Sequence, residues 1–222
     1  MRLQTFVKNN GGYTKKEVMS LYEKRLILVN GKVCNLSYNI KEDDVITINN
    51  EIIKDIGFVY YLYNKPKGVV CTNDRSVPHN ILDEVKVDER VYAVGRLDKD
   101  THGLIIITND NKLTHYILES SDVTKEYIVK VKNKISDDFL RKMEERITIH
   151  GKLTDGAKTK KIDDYSFFIT LSSGRYHEIR TLVKNASGVL LDLKRIRIGK
   201  VCLDNYKLEE GKLIKVRKED II

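Results

Sequence analysis

Long hydrophobic runs are absent. A membrane span requires roughly 18 consecutive apolar residues, and the strongest candidate, GLIIIT (103–108), stops at Asn109-Asp110. The N-terminus lacks the apolar core of a secretory signal, so a cytoplasmic protein with no membrane partner is expected. Cysteine is scarce too. Cys34, Cys71 and Cys202 are scattered without pair spacing or a metal-ligand motif, and they read as reduced thiols. Only 2 prolines and 13 glycines occur among 222 residues, of which 41% are hydrophobic and 32% charged. That balance excludes a disordered, collagenous or linker-rich chain. What remains is a globular protein the size of one large domain, or of a small module joined to a medium one.

Basic charge is what the chain has in excess. Forty lysines and arginines face 32 acidic residues, a formal charge of +8, which favours a polyanionic partner. The excess is clustered. Residues 1–35 hold Arg2, Lys8, Lys15, Lys16, Lys24, Arg25 and Lys32 against Glu17 and Glu23. Residues 175–200 hold Arg175, Arg180, Lys184, Lys194, Arg195, Arg197 and Lys200 against Glu178 and Asp192. A single run of this kind is usually a solvated helix face. Two separated clusters suggest two contact surfaces on one polyanion.

The pattern of elements falls into two parts. Residues 1–56 open with helical patterns at 3–9 and 14–24, the second carrying Thr14 and Glu17 at capping-box spacing. Short strands follow at 26–33, interrupted by the Asn30-Gly31 turn signal, and at 44–50. From residue 57 to 222 the pattern is mostly strands, at 58–64, 91–98, 103–109, 125–132, 165–171 and 190–198. Helices are expected at 111–119, at 136–145 with Ser136 as cap, and at 175–186. Strands at hairpin spacing with a few helices predict an α+β fold with a mixed or antiparallel sheet.

One loop concentrates the chemistry. In AVGRLDKDTHGLIIITND (93–110) two apolar runs flank Arg96, Asp98, Lys99, Asp100, Thr101 and His102. Gly95 and Gly103 on either side let the backbone turn or approach a ligand closely. A carboxylate ending a buried strand beside cations suits a nucleophile or base. It equally suits a polar hairpin in which Asp98 merely caps a turn, and the pattern alone leaves both open.

GRLDKDTHGLIIITND closely resembles the signature loop of the bacterial ribosomal-RNA pseudouridine synthases of the RsuA type. Further segments resemble that family in its own order. They are YLYNKPKGVVCT (61–72), TKEYIV (124–129), and SGRYHEIRTL (173–182) followed by LKRIRIG (193–199). Together they cover about residues 58–216, and four motifs in one order are far more specific than any short pattern alone. Separately, residues 2–33 are similar to a small RNA-binding module named after a ribosomal protein. The resemblances imply an RNA-binding module at 1–56 and a synthase domain at 57–222 built on a mixed, largely antiparallel sheet with flanking helices.

They also imply the activity: isomerisation of a specific uridine in ribosomal RNA, with the target base flipped out and neither cofactor nor metal required. Asp98 matches the family's catalytic aspartate. Tyr127 matches its tyrosine, able to stack on uracil and share in proton transfer. Arg180 matches the basic residue that pairs with the aspartate. Arg96 suits displacing the target base or holding a neighbouring phosphate. Thr101 and Arg175 fall in the matched motifs as substrate-binding residues, and Leu193 fits the apolar wall of the pocket. Lys15, Lys16 and Arg25 would meet RNA phosphates from the first module.

Departures from the family pattern concern the target more than the chemistry. Glu178 and Thr181 stand where glutamine and arginine are frequent, which removes cations from a helix expected to face RNA. Gln4 replaces an acidic residue common in the module. Small-subunit RNA is slightly favoured over large-subunit RNA, because Gly174-Arg175-Tyr176-His177 most resembles that branch. The expected partner is ribosomal RNA or a pre-ribosomal particle, and the expected state is a monomer. The alternatives are a related synthase acting on large-subunit RNA or tRNA, and an RNA-binding or ribosome-assembly factor on the same fold with little catalysis. No Ser-His-Asp relay is read from Ser173, His177 and Asp98, and His102 reads as a loop residue rather than a base.

Overall fold

Helix α1 (Leu3–Gly11) forms because Leu3, Phe6 and Val7 recur at helical spacing and are buried together. It ends where Gly12 turns left-handed at φ 73°. Helix α2 (Lys15–Glu23) starts on the expected capping box. Thr14 Oγ1 accepts from the Glu17 amide at 3.2 Å, and Glu17 Oε2 accepts from the Thr14 amide at 2.6 Å. Strands β1 (Ile27–Val29), β2 (Ile46–Ile48) and β3 (Glu51–Ile52) complete a three-stranded antiparallel sheet. Strands β1 and β2 are shorter than the runs 26–33 and 44–50 that the sequence pattern suggests. Asn30 (φ 50°) and Gly31 turn the chain after β1, and Asn49 and Asn50, both left-handed at φ 52° and 68°, make the turn between β2 and β3. Ile27, Val29, Ile46 and Ile48 close over the helices as one core.

The structure is a computed structural model and describes residues 1–72, 74 and 76–222. It divides into two units. The first comprises Met1–Val59 with Val87–Val91, and the second comprises Tyr60–Lys86 with Tyr92–Ile222. The return of Val87–Val91 to the first unit is not legible in the local pattern.

The second unit runs β4 (Tyr60–Lys65), α3 (Ile81–Glu84), β5 (Tyr92–Ala93), β6 (His102–Thr108), α4 (Asn111–Glu119), β7 (Lys125–Val131) and α5 (Asp137–Met143). There follow β8 (Thr148–Ile149), β9 (Lys152–Leu153), β10 (Ala157–Lys161), β11 (Ser166–Leu171), α6 (Glu178–Asn185), β12 (Leu190–Ile198), β13 (Val201–Cys202) and β14 (Leu213–Val216). Nine of these strands form one sheet in the order β10-β11-β7-β12-β6-β4-β14, with β13 beside β12 and β5 beside β6. All pairings are antiparallel except β12 with β6. The fold is therefore α+β with a mixed, largely antiparallel sheet, as expected.

Strand β6 lies inside the sheet between β12 and β4, and Leu104 to Ile107 are wholly buried. At its start Gly103 (φ 105°) faces the β12 backbone, where an added Cβ would sit 2.2 Å from the Arg195 carbonyl oxygen. Only glycine allows this approach, and Gly103 pairs with Arg195 in the parallel register of β12 with β6. The expected strand at 91–98 is cut to Tyr92–Ala93, because Gly95 at φ 76° turns the chain away. Asp98 consequently sits in a loop and not at a strand end. The expected helix at 175–186 begins only at Glu178, because His177 is left-handed at φ 56°.

A buried carboxylate ties the sheet to α4. Asp110 Oδ1 accepts from the Lys112 and Leu113 amides at 2.9 and 3.2 Å, capping the helix. Its Oδ2 accepts from the Tyr60 hydroxyl at 2.9 Å and the Lys218 ammonium at 3.3 Å. Burial pushes the Asp110 carboxyl up, but the Leu113 amide, the Tyr60 hydroxyl and Lys218 outweigh it and leave the group below the usual carboxylate range. Asp110→Ala is expected to cost about 3 kcal/mol at neutral pH, since it orphans several buried donors. A depressed carboxyl stabilises fully above its unfolded value of about 3.9 and loses that contribution as pH falls through the folded value. Denaturant unfolding should therefore show the gap between variant and wild type narrowing in acid.

Candidate active site

The loop between β5 and β6 carries Asp98 into a cleft of about 470 Å³ in the second unit. The loop is pinned from within. Buried Leu97 donates its amide to Cys71 Sγ at 3.4 Å, and the Thr101 amide donates to the Asp98 carbonyl at 3.0 Å. Helix α6 supplies the partner. Ile179, Leu182 and Val183 bury one face of it, and Arg180 lines the cleft. Arg180 Nε donates to Asp98 Oδ2 at 2.9 Å, while its Nη2 donates to Thr101 Oγ1 at 3.1 Å. One planar guanidinium thus bridges two residues of the loop, which fixes the carboxylate's direction as well as its charge environment. Asp98 retains 32% side-chain exposure and stays reachable from the cleft.

Strands β7 and β12 form the opposite wall. On β7 the inward positions are Lys125, Tyr127, Val129 and Val131. Tyr127 is 8% exposed and lines the cleft. Across the ladder Arg195 stands opposite Tyr127 and Leu193 opposite Val129, and both line the same cleft. Arg96 is exposed and also lines it. Arg175 contributes to the lining, with its Nη2 engaged by the Leu153 carbonyl at 2.9 Å.

The structure therefore gathers Asp98, Tyr127, Arg180, Arg96, Thr101, Leu193 and Arg175 around one cleft. Lys15, Lys16 and Arg25 belong to the first unit, exposed on α2 and just after it. Two expectations about side chains change. Glu178 does not face solvent: it is 3% exposed and accepts from Ser173 Oγ at 2.6 Å and from the Arg175 amide at 3.0 Å, bracing the turn into α6. His102 is not a loop residue but opens β6, with its ring nitrogens 3.1 Å from Asp192 and Glu210. Ser173 is held by Glu178 and makes no relay with His177.

Lys125, Tyr176, His177 and Arg195 also line the cleft and were not among the candidate site residues. His177 Nε2 lies 3.4 Å from Asp98 Oδ2, and its ring stacks on Tyr176 at 3.8 Å between centroids. Lys125 was detectable, because it lies two residues before Tyr127 in an alternating strand and so shares its face. Arg195 needed the register between β7 and β12, which no local pattern contains.

A protein-family model described as RNA pseudouridylate synthase matches residues 59–185. Among curated proteins, the dual-specificity RNA pseudouridine synthase RluF of Escherichia coli O6:H1 is 34% identical over 214 residues, covering 95% of this chain and 74% of that protein. The ribosomal small subunit pseudouridine synthase A of Haemophilus influenzae is 29% identical over 228 residues, covering 100% of this chain and 98% of that one. A crystal structure described as pseudouridylate synthase superposes with a TM-score of 0.68 at 29% identity, covering 100% of this chain and 98% of its own.

Proposed function

The chain belongs to the RNA pseudouridylate synthase family and is an RNA uridine isomerase, and from that premise we propose that it converts a specific uridine of ribosomal RNA to pseudouridine in the cleft around Asp98. The observation that carries this site is the Arg180 guanidinium joined to both Asp98 and Thr101 beside Tyr127. The reaction breaks the bond between ribose C1′ and uracil N1, turns the base and forms a bond from C1′ to C5. The proton on C5 leaves and N1 gains one, so no redox partner enters the balance.

Asp98 supplies the carboxylate, whether it attacks the sugar, attacks the base or balances the cation left at C1′. Tyr127 packs against the uracil ring, and its hydroxyl takes part in moving the C5 proton. Leu193 closes the apolar side of the base pocket. A uridine inside an RNA helix reaches this cleft only when turned out of its stack. Arg96, exposed beside Asp98 in sequence, fills the vacated space or holds a flanking phosphate, and Arg175 braces the same wall. Action as a monomer on ribosomal RNA or a pre-ribosomal particle, in the compartment where ribosomes are assembled, belongs to the same proposal.

Lys15, Lys16 and Arg25 act as phosphate contacts of the first unit. Replacing all three by glutamine should weaken binding to a ribosomal RNA fragment and flatten its salt dependence by about 2–3 in log–log slope. The rate at saturating protein should recover. Equilibrium binding at several salt concentrations with single-turnover kinetics reads both, and an unchanged slope would remove these residues from the RNA interface.

The function itself is tested by incubating the protein with total RNA from a strain lacking its gene and mapping pseudouridine by carbodiimide-dependent primer extension. The expected result is new pseudouridine in ribosomal RNA, and the map identifies which subunit carries it. Modification of tRNA alone, or none, would contradict the proposal.

A further inference from the structure

Two cations are buried together on the wall of this cleft. Lys125 and Arg195 are each 5% exposed and both line the cleft. Among the described residues neither makes an ion pair. Arg195 Nε donates to the Leu104 carbonyl at 2.7 Å, while its Nη2 is closed off from solvent with no hydrogen-bond partner. Burial first, and the Arg195 guanidinium second, hold the Lys125 ammonium below the usual lysine range. Buried like charges oppose folding unless something offsets them, and clefts that do chemistry are where such groups collect.

Their place in the sheet says what would offset them. Lys125 is two residues from Tyr127 on β7, and Arg195 is directly across from Tyr127 on β12. The two cations therefore flank the ring against which the uracil packs in the function proposed above, on which this inference rests. When the C1′–N1 bond breaks, its electron pair stays with the base. The charge spreads from N1 onto O2, O4 and C5. A half-turn about the line through N3 and C6 then brings C5 to the former place of N1 and exchanges O2 with O4. A cationic wall meets a carbonyl oxygen in both orientations. An exposed surface lysine would suit a hydrated phosphate, whereas these two lie where the base must enter.

We propose that Lys125 and Arg195 form a subsite for the negative charge that develops on the detached uracil, holding its carbonyl oxygens while it turns and leaving C5 as the nucleophile. The subsite stabilises charge made in the reaction, so it acts on rate more than on RNA affinity.

The test compares Lys125→Met, Lys125→Arg and Arg195→Gln with wild type on two RNAs, one with uridine and one with 5-fluorouridine at the target. Fluorine withdraws electrons and makes the detached base a more stable anion. Single-turnover loss of the N-linked nucleoside is followed in digests, with equilibrium RNA binding and thermal unfolding measured on each protein. On the uridine RNA, Lys125→Met should lose on the order of 100-fold in rate with unchanged affinity. Lys125→Arg should keep most of the rate. On the fluorinated RNA the Lys125→Met deficit should shrink several-fold. Arg195→Gln should follow the same pattern and keeps the test decisive if one variant fails to fold. An equal deficit on both RNAs would overturn the proposal. So would weaker binding with a normal rate at saturation, which would mark a backbone-phosphate subsite instead. A wild-type protein that forms no pseudouridine would overturn the underlying function and this subsite with it.

Discussion

Asp98→Asn should abolish pseudouridine formation, lowering the single-turnover rate by roughly 10³-fold or more, while the protein stays folded and still binds RNA. The amide is nearly isosteric with the carboxylate, and its carbonyl oxygen can still accept from Arg180 Nε, which lies at 2.9 Å in the parent. Loop geometry therefore survives. What disappears is the negative charge that serves as nucleophile or counter-charge. The pair is about one-third exposed on each side, so its loss should alter stability by no more than about 1 kcal/mol. Thermal unfolding and RNA binding on the same sample separate lost chemistry from lost structure. A variant turning over near the wild-type rate would remove Asp98 from the mechanism.

Arg180→Met should also lose on the order of 10²-fold in rate. The guanidinium does two jobs through one rigid plane, donating to Asp98 and to Thr101. Methionine keeps the bulk of the side chain on α6 and removes both bonds. Asp98 then loses its orientation, and Thr101, 2% exposed, loses a charge-assisted partner. Arg180→Lys should fall between the two, because an ammonium has no fixed fork to span both acceptors. Single-turnover rates at saturating protein are the measurement. Equal activity of lysine and arginine at this position would show that charge alone suffices and that the bridge to Thr101 is incidental.

What the sequence revealed about this site follows from how each residue is held. Asp98 and Thr101 share one short loop, so a linear motif contains both, and the glycines around it carry the turn that the structure shows at Gly95. Tyr127 sits in a strand of clear alternation, and Arg180 in the helix expected at 175–186. The pairing of Arg180 with Asp98, 82 positions away, came from family resemblance and not from spacing. Lys125 and Arg195 escaped notice for a physical reason. Each reads locally as an ordinary basic residue, and only the register that sets Arg195 against Tyr127 reveals two cations buried on one wall. Glu178 misled in the opposite sense. Inside the helix expected at 175–186 it falls on a helix facing RNA, but α6 begins at Glu178 itself after the left-handed His177, and the Glu178 carboxylate accepts from Ser173 Oγ and the Arg175 amide. Strand ends failed where consecutive left-handed asparagines, Asn49 and Asn50, continued an apparently extended run.

The most direct measurement uses ribosomal RNA transcribed without modification and labelled with tritium at C5 of uracil. Forming the new bond to C5 expels that hydrogen, so its appearance in water counts isomerisation events. The account predicts that the wild-type protein releases tritium to a plateau of one uridine per RNA, and that Asp98→Asn releases none while binding the same RNA. Binding without release by the wild-type protein, or release by Asp98→Asn at a comparable rate, would contradict it.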